Sequence, residues 1–291
     1  MRLYLLMCAW ALLLPRIAMA EPAKDLVETL PSGAINWSRG YLVAKGTFAP
    51  ERSEVPAAMN PEQSIEQAQR QALRNTLRTL QEVRLDANRR VSELMAADEQ
   101  IRARVNEMAA TARVIEIQPL SDSAVRVAVQ MELLGGFAQL VLPGEIKQVE
   151  SIKQMPAPAG QTASEAQTPP RPAAPAKPEG HSGLIVDARG IGAKPAMVPL
   201  LLDENGKEVY GPAFISREYA VQHGVCEYDR SMETSAHQKR VAPNPLTIKG
   251  LRTMHGRNCD IVISNADADR LRDASANLGF LKQCRVIIVL D

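Results

Sequence analysis

Side chains alternate from Trp37 to Phe48, with Tyr41, Val43 and Thr47 on one face and Leu42, Ala44 and Phe48 on the other. That period of two predicts a strand. The period then lengthens. Asn60-Pro61-Glu62-Gln63 carries a capping side chain, a proline at the first helical position and a glutamine to close the box. Ile65, Ala68, Ala72, Leu73, Thr76, Leu80 and Val83 follow at helical spacing and predict one buried stripe. A second helix is expected from about Arg89, through Val91, Leu94, Met95, Ile101, Val105, Met108 and Ala112. Period two returns at Val125, Val127, Val129, Met131 and Leu133, with Arg113 to Gln118 pairing back across a turn at Leu120 to Ser123. A β-α-α-β-β order over residues 35–145 predicts an α+β domain, two long helices on an antiparallel sheet.

Ser151 to Ser182 breaks the pattern. Prolines at 156, 158, 169, 170, 172, 175 and 178 alternate with Ala, Gln, Thr and Gly. With little apolar surface to repay ordering, this stretch reads as an extended spacer. Residues 183–291 form the second expected domain. Leu184 to Arg189, Met197 to Asp203, Glu208 to Tyr210 and Leu246 to Arg252 read as strands, with a turn at Asp203-Glu204-Asn205-Gly206. Ser216 opens a short helix that ends near Gly224. Ile261 to Ile263, a helix from Ser264 or Asn265 through Leu278, and Arg285 to Leu290 read as a closing βαβ unit, so a mixed sheet is expected.

The first twenty residues add an address. Arg2, the apolar run Leu3 to Leu14, Pro15 and Ala18-Met19-Ala20 have the layout of a cleaved secretory signal. The run is too short for a comfortable membrane span. A periplasmic protein beginning near Glu21 is expected. Loss of Arg2 and Arg16 lowers the 34 basic residues to 32 against 33 acidic ones. That balance and 4% aromatic content argue against a nucleic-acid binder. Cys8 lacks the small preceding residue of a lipid-attachment box.

Candidate chemistry is sparse. The chain has no GxSxG elbow, HExxH, CxxC or phosphate loop, and Gly190-Ile191-Gly192 lacks the third glycine of a dinucleotide fingerprint. His223, Cys226, His237, His255 and Cys259 provide no second closely spaced ligand pair, so no metal is assigned. Of Asp267, Asp269 and Asp273, the first two read as helix-start carboxylates, and Arg270 and Arg272 are close enough to offset the charge. Arg70, Arg74 and Arg78 recur four apart beside Glu62, Glu66 and Glu82, a solvated ion-paired face. Cys259 and Cys284 each precede a strand of the expected βαβ unit. If those strands are neighbours, the Cα atoms approach to about 5 Å and a disulfide is possible, which would leave Cys226 as a spare buried thiol. Asp187 and Arg189 share one side of a strand, where they could bind a ligand or pair with each other. They are the candidate ligand-binding residues; no catalytic residue and no cofactor is assigned.

Gly40-Tyr41-Leu42-Val43-Ala44-Lys45-Gly46, the Ala68/Ala72 helix with Arg70, Leu73 and Leu77, and the Val125–Leu133 strand resemble two related groups. These are small outer-membrane lipoproteins associated with bacterial flagella and the N-terminal domain of the flagellar assembly protein T. The resemblance implies a non-catalytic periplasmic module that assembles with other envelope or outer-membrane components, basal-body proteins among them. Gly183 to Gly190 and the closing Cys284 to Asp291 strand resemble a recurrent, uncharacterised module of bacterial envelope proteins. An exported scaffold or assembly protein is the first expectation. A periplasmic protein that binds a small ligand through its C-terminal domain is the alternative.

Overall fold

The computed structural model describes residues 25–49, 61–120, 124–146, 180–232, 239–273 and 277–291. The expected signal segment 1–20, Cys8, the capping Asn60, His237 and the proline-rich stretch up to residue 179 lie outside them.

The architecture is α+β, with an N-terminal antiparallel sheet and a C-terminal mixed one. The first half holds β1 (Val27–Leu30), β2 (Gly33–Asn36) and β3 (Tyr41–Phe48). Next come α1 (Pro61–Gln81), α2 (Val91–Ala97) and α3 (Glu99–Ala110). The half closes with β4 (Arg113–Pro119), β5 (Val125–Glu132) and α4 (Gly136–Val141). The sheet runs β1-β2-β3-β5-β4, all antiparallel, so the first and last strands of the expected β-α-α-β-β order meet at its centre. The β1–β2 hairpin begins before the expected domain start at Ile35, which falls inside β2. Where one helix was expected from Arg89 there are two. Asp98 has extended backbone and its Oδ1 accepts from the Gln100 and Ile101 N–H groups at 2.8 and 3.1 Å, which starts α3 afresh.

Helix α1 lies close against β3. Leu42, Ala44 and Gly46 are buried beneath it, and Ala68, Ala72, Thr76 and Leu80 form the matching stripe. A Cβ on Gly46 would stand 2.1 Å from the Ala68 carbonyl oxygen and 2.3 Å from the Ala72 nitrogen. Only glycine permits that approach. Asn75 Nδ2 donates to the Lys45 carbonyl at 2.7 Å along the same contact.

The second half holds β6 (Gly183–Asp187), β7 (Leu201–Leu202), β8 (Glu208–Tyr210), α5 (Arg217–His223) and β9 (Glu227–Asp229). It ends with β10 (Pro245–Met254), β11 (Arg257–Ile263), α6 (Asn265–Asp273), α7 (Asn277–Lys282) and β12 (Val286–Val289). Its order is β8-β7-β11-β10-β6-β12-β9. β10, β6, β12 and β9 are mutually parallel, whereas β11 runs antiparallel to β10. Strand–helix–strand order from β11 to β12 is therefore present, but the two strands run in opposite directions with β10 and β6 between them.

The two halves share one core. Leu42, Leu80 and Val105 belong to the same buried cluster as Leu184, Ile248 and Ile288. Tyr228 seals the junction. Its ring meets Trp37 edge-on at 6.1 Å, its hydroxyl donates to the Ala196 carbonyl at 2.8 Å, and it accepts from the Ala196 N–H at 3.0 Å. Met197 and Val198 N–H groups donate across to the Arg84 and Leu85 carbonyls at 3.0 and 2.8 Å. That explains why only Leu201–Leu202 pair within the sheet, although a strand was expected from Met197: the earlier backbone groups bond to the other half.

Candidate functional site

Asp187 and Arg189 lie at the end of β6, and the pair is closed on itself. Arg189 Nε and Nη2 donate to the two Asp187 carboxylate oxygens at 2.7 and 2.9 Å. Those bonds are the main reason the Asp187 carboxyl is held below its ordinary value. The Asp291 carboxylate bonds the neighbouring Gly190 N–H at 2.8 Å.

Cys259 and Cys284 are not joined; both are free thiols, as is Cys226. The expected pairing required adjacent parallel strands. Two intervening strands put β11 and β12 three interstrand spacings apart, about 14 Å, beyond disulfide reach. Burial pushes the Cys259 and Cys284 thiols up to about 11. Among the described residues no three His, Cys, Asp or Glu side chains group at metal-ligating positions.

A basic cleft of about 320 Å³ is lined by His223, Lys239, Arg240 and Arg285, with Glu227 and Tyr219 beside them. Its two arginines are engaged. Arg240 donates to the Cys284, His223 and Gly224 carbonyls, each at 2.8 Å. Arg285 donates to the Arg240 and Ala242 carbonyls at 2.8 and 2.7 Å. These guanidiniums tie backbone segments together.

The junction of the halves holds a more unusual arrangement. Two adjoining hollows, about 480 and 160 Å³, share Glu145, Leu200 and Pro212 as walls. Glu208 lines the larger and Asp260 the smaller. Glu145 comes from the N-terminal half, just after α4, while Glu208 starts β8 and Asp260 sits inside β11. Asp260 is 1% exposed, and among the described residues no side chain hydrogen-bonds its carboxylate, which the Leu200 N–H approaches from the backbone. Glu208 Oε1 is likewise buried without a donor. It lies over Gly211, where a Cβ would come within 2.4 Å of it. Burial is the main cause that raises the Asp260 carboxyl to about 6; Asp86 and Glu208 add to it, while Arg257 and a backbone hydrogen bond from Leu200 oppose it.

The charges around the hollows do not balance. Asp86 is neutralised by Arg89, which donates to it through Nε at 2.8 Å. Arg257 stands 3.8 Å from Asp260, at the limit of an ion pair. Among the described residues Glu145, which is solvent-exposed, and Glu208 have no ion-pair partner, and apolar Leu200, Pro212 and Ile215 stand beside them. Asp260 precedes the stretch Ile261 to Ile263 that sequence periodicity assigns to the strand. The signal was an acid directly abutting an apolar run; recognising it requires the strand to begin at Arg257.

Strand β4 is a second feature of interest. It ends the N-terminal sheet, and Ile115 and Ile117 are 43% and 48% exposed. Its register with β5 slips between Val114 and Glu116, which bulges the edge at Ile115.

No helix among the described residues is long and apolar enough to cross a membrane. No curated protein matches the chain. Residues 183–291 match the family model described as the second domain of Treponema pallidum Tp0624, in keeping with a recurrent bacterial module over the C-terminal half.

Proposed function

We propose that this protein is an exported cell-envelope assembly component that works by binding, with the open edge of its N-terminal sheet as the docking strand. The supporting observation is β4, which among the described residues has a hydrogen-bonded neighbour on one side and carries exposed Ile115 and Ile117 on a strand of seven residues. An unpaired edge offers a row of backbone donors and acceptors to an added strand, and apolar side chains give such a strand something to select. Pro119 and the bulge at Ile115 restrict that edge without sealing it. A core shared by the two halves suits a spacer or scaffold. The resemblance of the N-terminal half to flagella-associated envelope modules makes a basal-body or outer-membrane protein the partner to look for.

The test is a photocrosslinking residue placed at position 117, with position 104 on α3 as control, in cells that make the protein at natural levels. The expected result is one envelope protein crosslinked from 117, absent from 104, and lost when Ile115→Lys is added. Equal products from both positions would sink the proposal. Crosslinking only to a second copy of this chain would replace it with self-association.

A further inference from the structure

We propose that the basic cleft of the C-terminal half binds a small soluble phosphate monoester, with its phosphate against Lys239, Arg240 and Arg285 and its body against Tyr219 and His223. The cleft belongs to the C-terminal half and β4 to the N-terminal one, so this goes beyond the assembly reading and does not rest on it.

The topology gathers these side chains. His223 ends α5, Glu227 starts β9, Arg285 immediately precedes β12, and Lys239 and Arg240 lie in the connection leading to β10. Because β9, β12 and β10 run parallel, these positions collect at one end of the sheet. Asp187 and Arg189 mark the opposite end.

Two observations point to an anion. The first is charge. Lys239, Arg240 and Arg285 share the cleft with Glu227 as its one carboxylate. Glu227 stands 3.9 Å from Arg240, whose side chain is 12% exposed. Among the described residues no carboxylate pairs with Arg285 or Lys239. A cation withdrawn from water without a counter-charge is costly, so the cleft is short of negative charge. The second observation is how the two guanidiniums are held. Each has five N–H groups. Arg240 uses three of them on the Cys284, His223 and Gly224 carbonyls, and Arg285 uses two on the Arg240 and Ala242 carbonyls. Terminal N–H groups remain on both, while the carbonyl bonds fix the planes. Donors ordered before a ligand arrives lose little freedom on binding it, and the guanidinium fork matches phosphate oxygens.

Charge and walls narrow the class. Three cations against one carboxylate leave an excess close to the charge of about −1.5 to −2 that a phosphate monoester carries at pH 7. A monocarboxylate supplies less. The volume of about 320 Å³ exceeds what a bare phosphate fills and falls in the range of small-ligand sites. Tyr219 and His223 supply an aromatic wall, their ring centroids 6.3 Å apart and their planes 32° from parallel. That wall suits the face of a sugar ring, and Glu227 and Gln283 suit its hydroxyls.

Glucose 1-phosphate is a suitable probe, with glucose and glucuronate as controls that keep the ring and carry no charge and one charge. Titrated into the isotopically labelled full chain, glucose 1-phosphate should shift the backbone amides of Gly224, Glu227 and Arg285. Glucose should not, and glucuronate should bind about tenfold more weakly. Arg285→Gln should weaken glucose 1-phosphate binding about tenfold. Lys239→Gln touches an exposed side chain and should weaken it about threefold with the fold intact, which keeps the test sound if Arg285→Gln fails to fold. No shift with glucose 1-phosphate would overturn the proposal, as would an affinity that Lys239→Gln leaves unchanged or glucuronate that binds as tightly. Sedimentation with phosphatidic acid vesicles that glucose 1-phosphate does not reverse would overturn it in favour of a lipid surface.

Discussion

Asp260 and Glu28 are both pushed up by burial, yet their carboxyls end on opposite sides of the ordinary value. Burial pushes Glu28 up, but its hydrogen bonds from Arg84 and Trp37 outweigh that and hold it below 4.5. Its contribution to stability is present above the unfolded value and lost as pH falls through the folded one. Asp260 has no such donors and rises from 3.8 to about 6. The native state therefore holds the proton more tightly, so this group's cost is complete above about pH 6 and vanishes below about pH 4. Asp260→Asn should stabilise the protein by about 2 kcal/mol at about pH 8 and have little effect at about pH 4. Urea denaturation at the two pH values checks this; equal effects at both would show that the carboxylate is not buried as a charge.

At the scale of elements, the contact of α1 with β3 decides the N-terminal half. Both small-residue positions, Ala68 and Ala72, were legible from the helical stripe, and Gly46 from the strand. That these three positions meet was not legible, because periodicity orients a face without naming what covers it. Gly46→Val should destabilise the protein by about 3 kcal/mol or more, since backbone rather than a yielding side chain stands in the way. The loss should appear as a lower urea midpoint with partial loss of helical circular dichroism; an unchanged midpoint would mean that α1 can lift off β3 without cost. Element boundaries failed where a side chain or a distant backbone took over the bonding. Asp98 splits one expected helix into α2 and α3 through its cap. Arg84 and Leu85 claim the N–H groups of Met197 and Val198, which shortens β7.

Across the whole molecule, Arg84 is one of the joints between the halves. Its guanidinium bonds both Glu28 oxygens, at 2.9 and 2.5 Å, and its Nε donates to the Pro195 carbonyl at 2.8 Å. It also lies 5.6 Å from the Trp37 ring centroid. Arg217 makes a second joint, donating to the Gln139 and Pro143 carbonyls at 2.7 and 2.9 Å. Arg84→Ala leaves Glu28 and the Pro195 carbonyl without these donors and should cost about 2 to 3 kcal/mol. Trp37 fluorescence and far-ultraviolet circular dichroism should then unfold at different urea concentrations, where the parent gives coincident curves. Coincident curves in the variant would show that the shared apolar core alone couples the halves.

The amino-acid sequence by itself determined the kind of each major element and which of its faces is apolar, because those properties repeat at two or 3.6 residues. It also carried the α+β class, the mixed character of the second sheet and the ion-paired exterior of α1, where Arg70 meets Glu66 at 2.5 Å. Only the tertiary structure decided strand order. Inserting β10 and β6 between β11 and β12 parts Cys259 from Cys284, an outcome set by long-range packing that no local period encodes. The same holds for the junction. Glu145, Glu208 and Asp260 are separated along the chain by scores of residues and ordinary one at a time. They come to line adjoining hollows because two sheets and α4 close around one core.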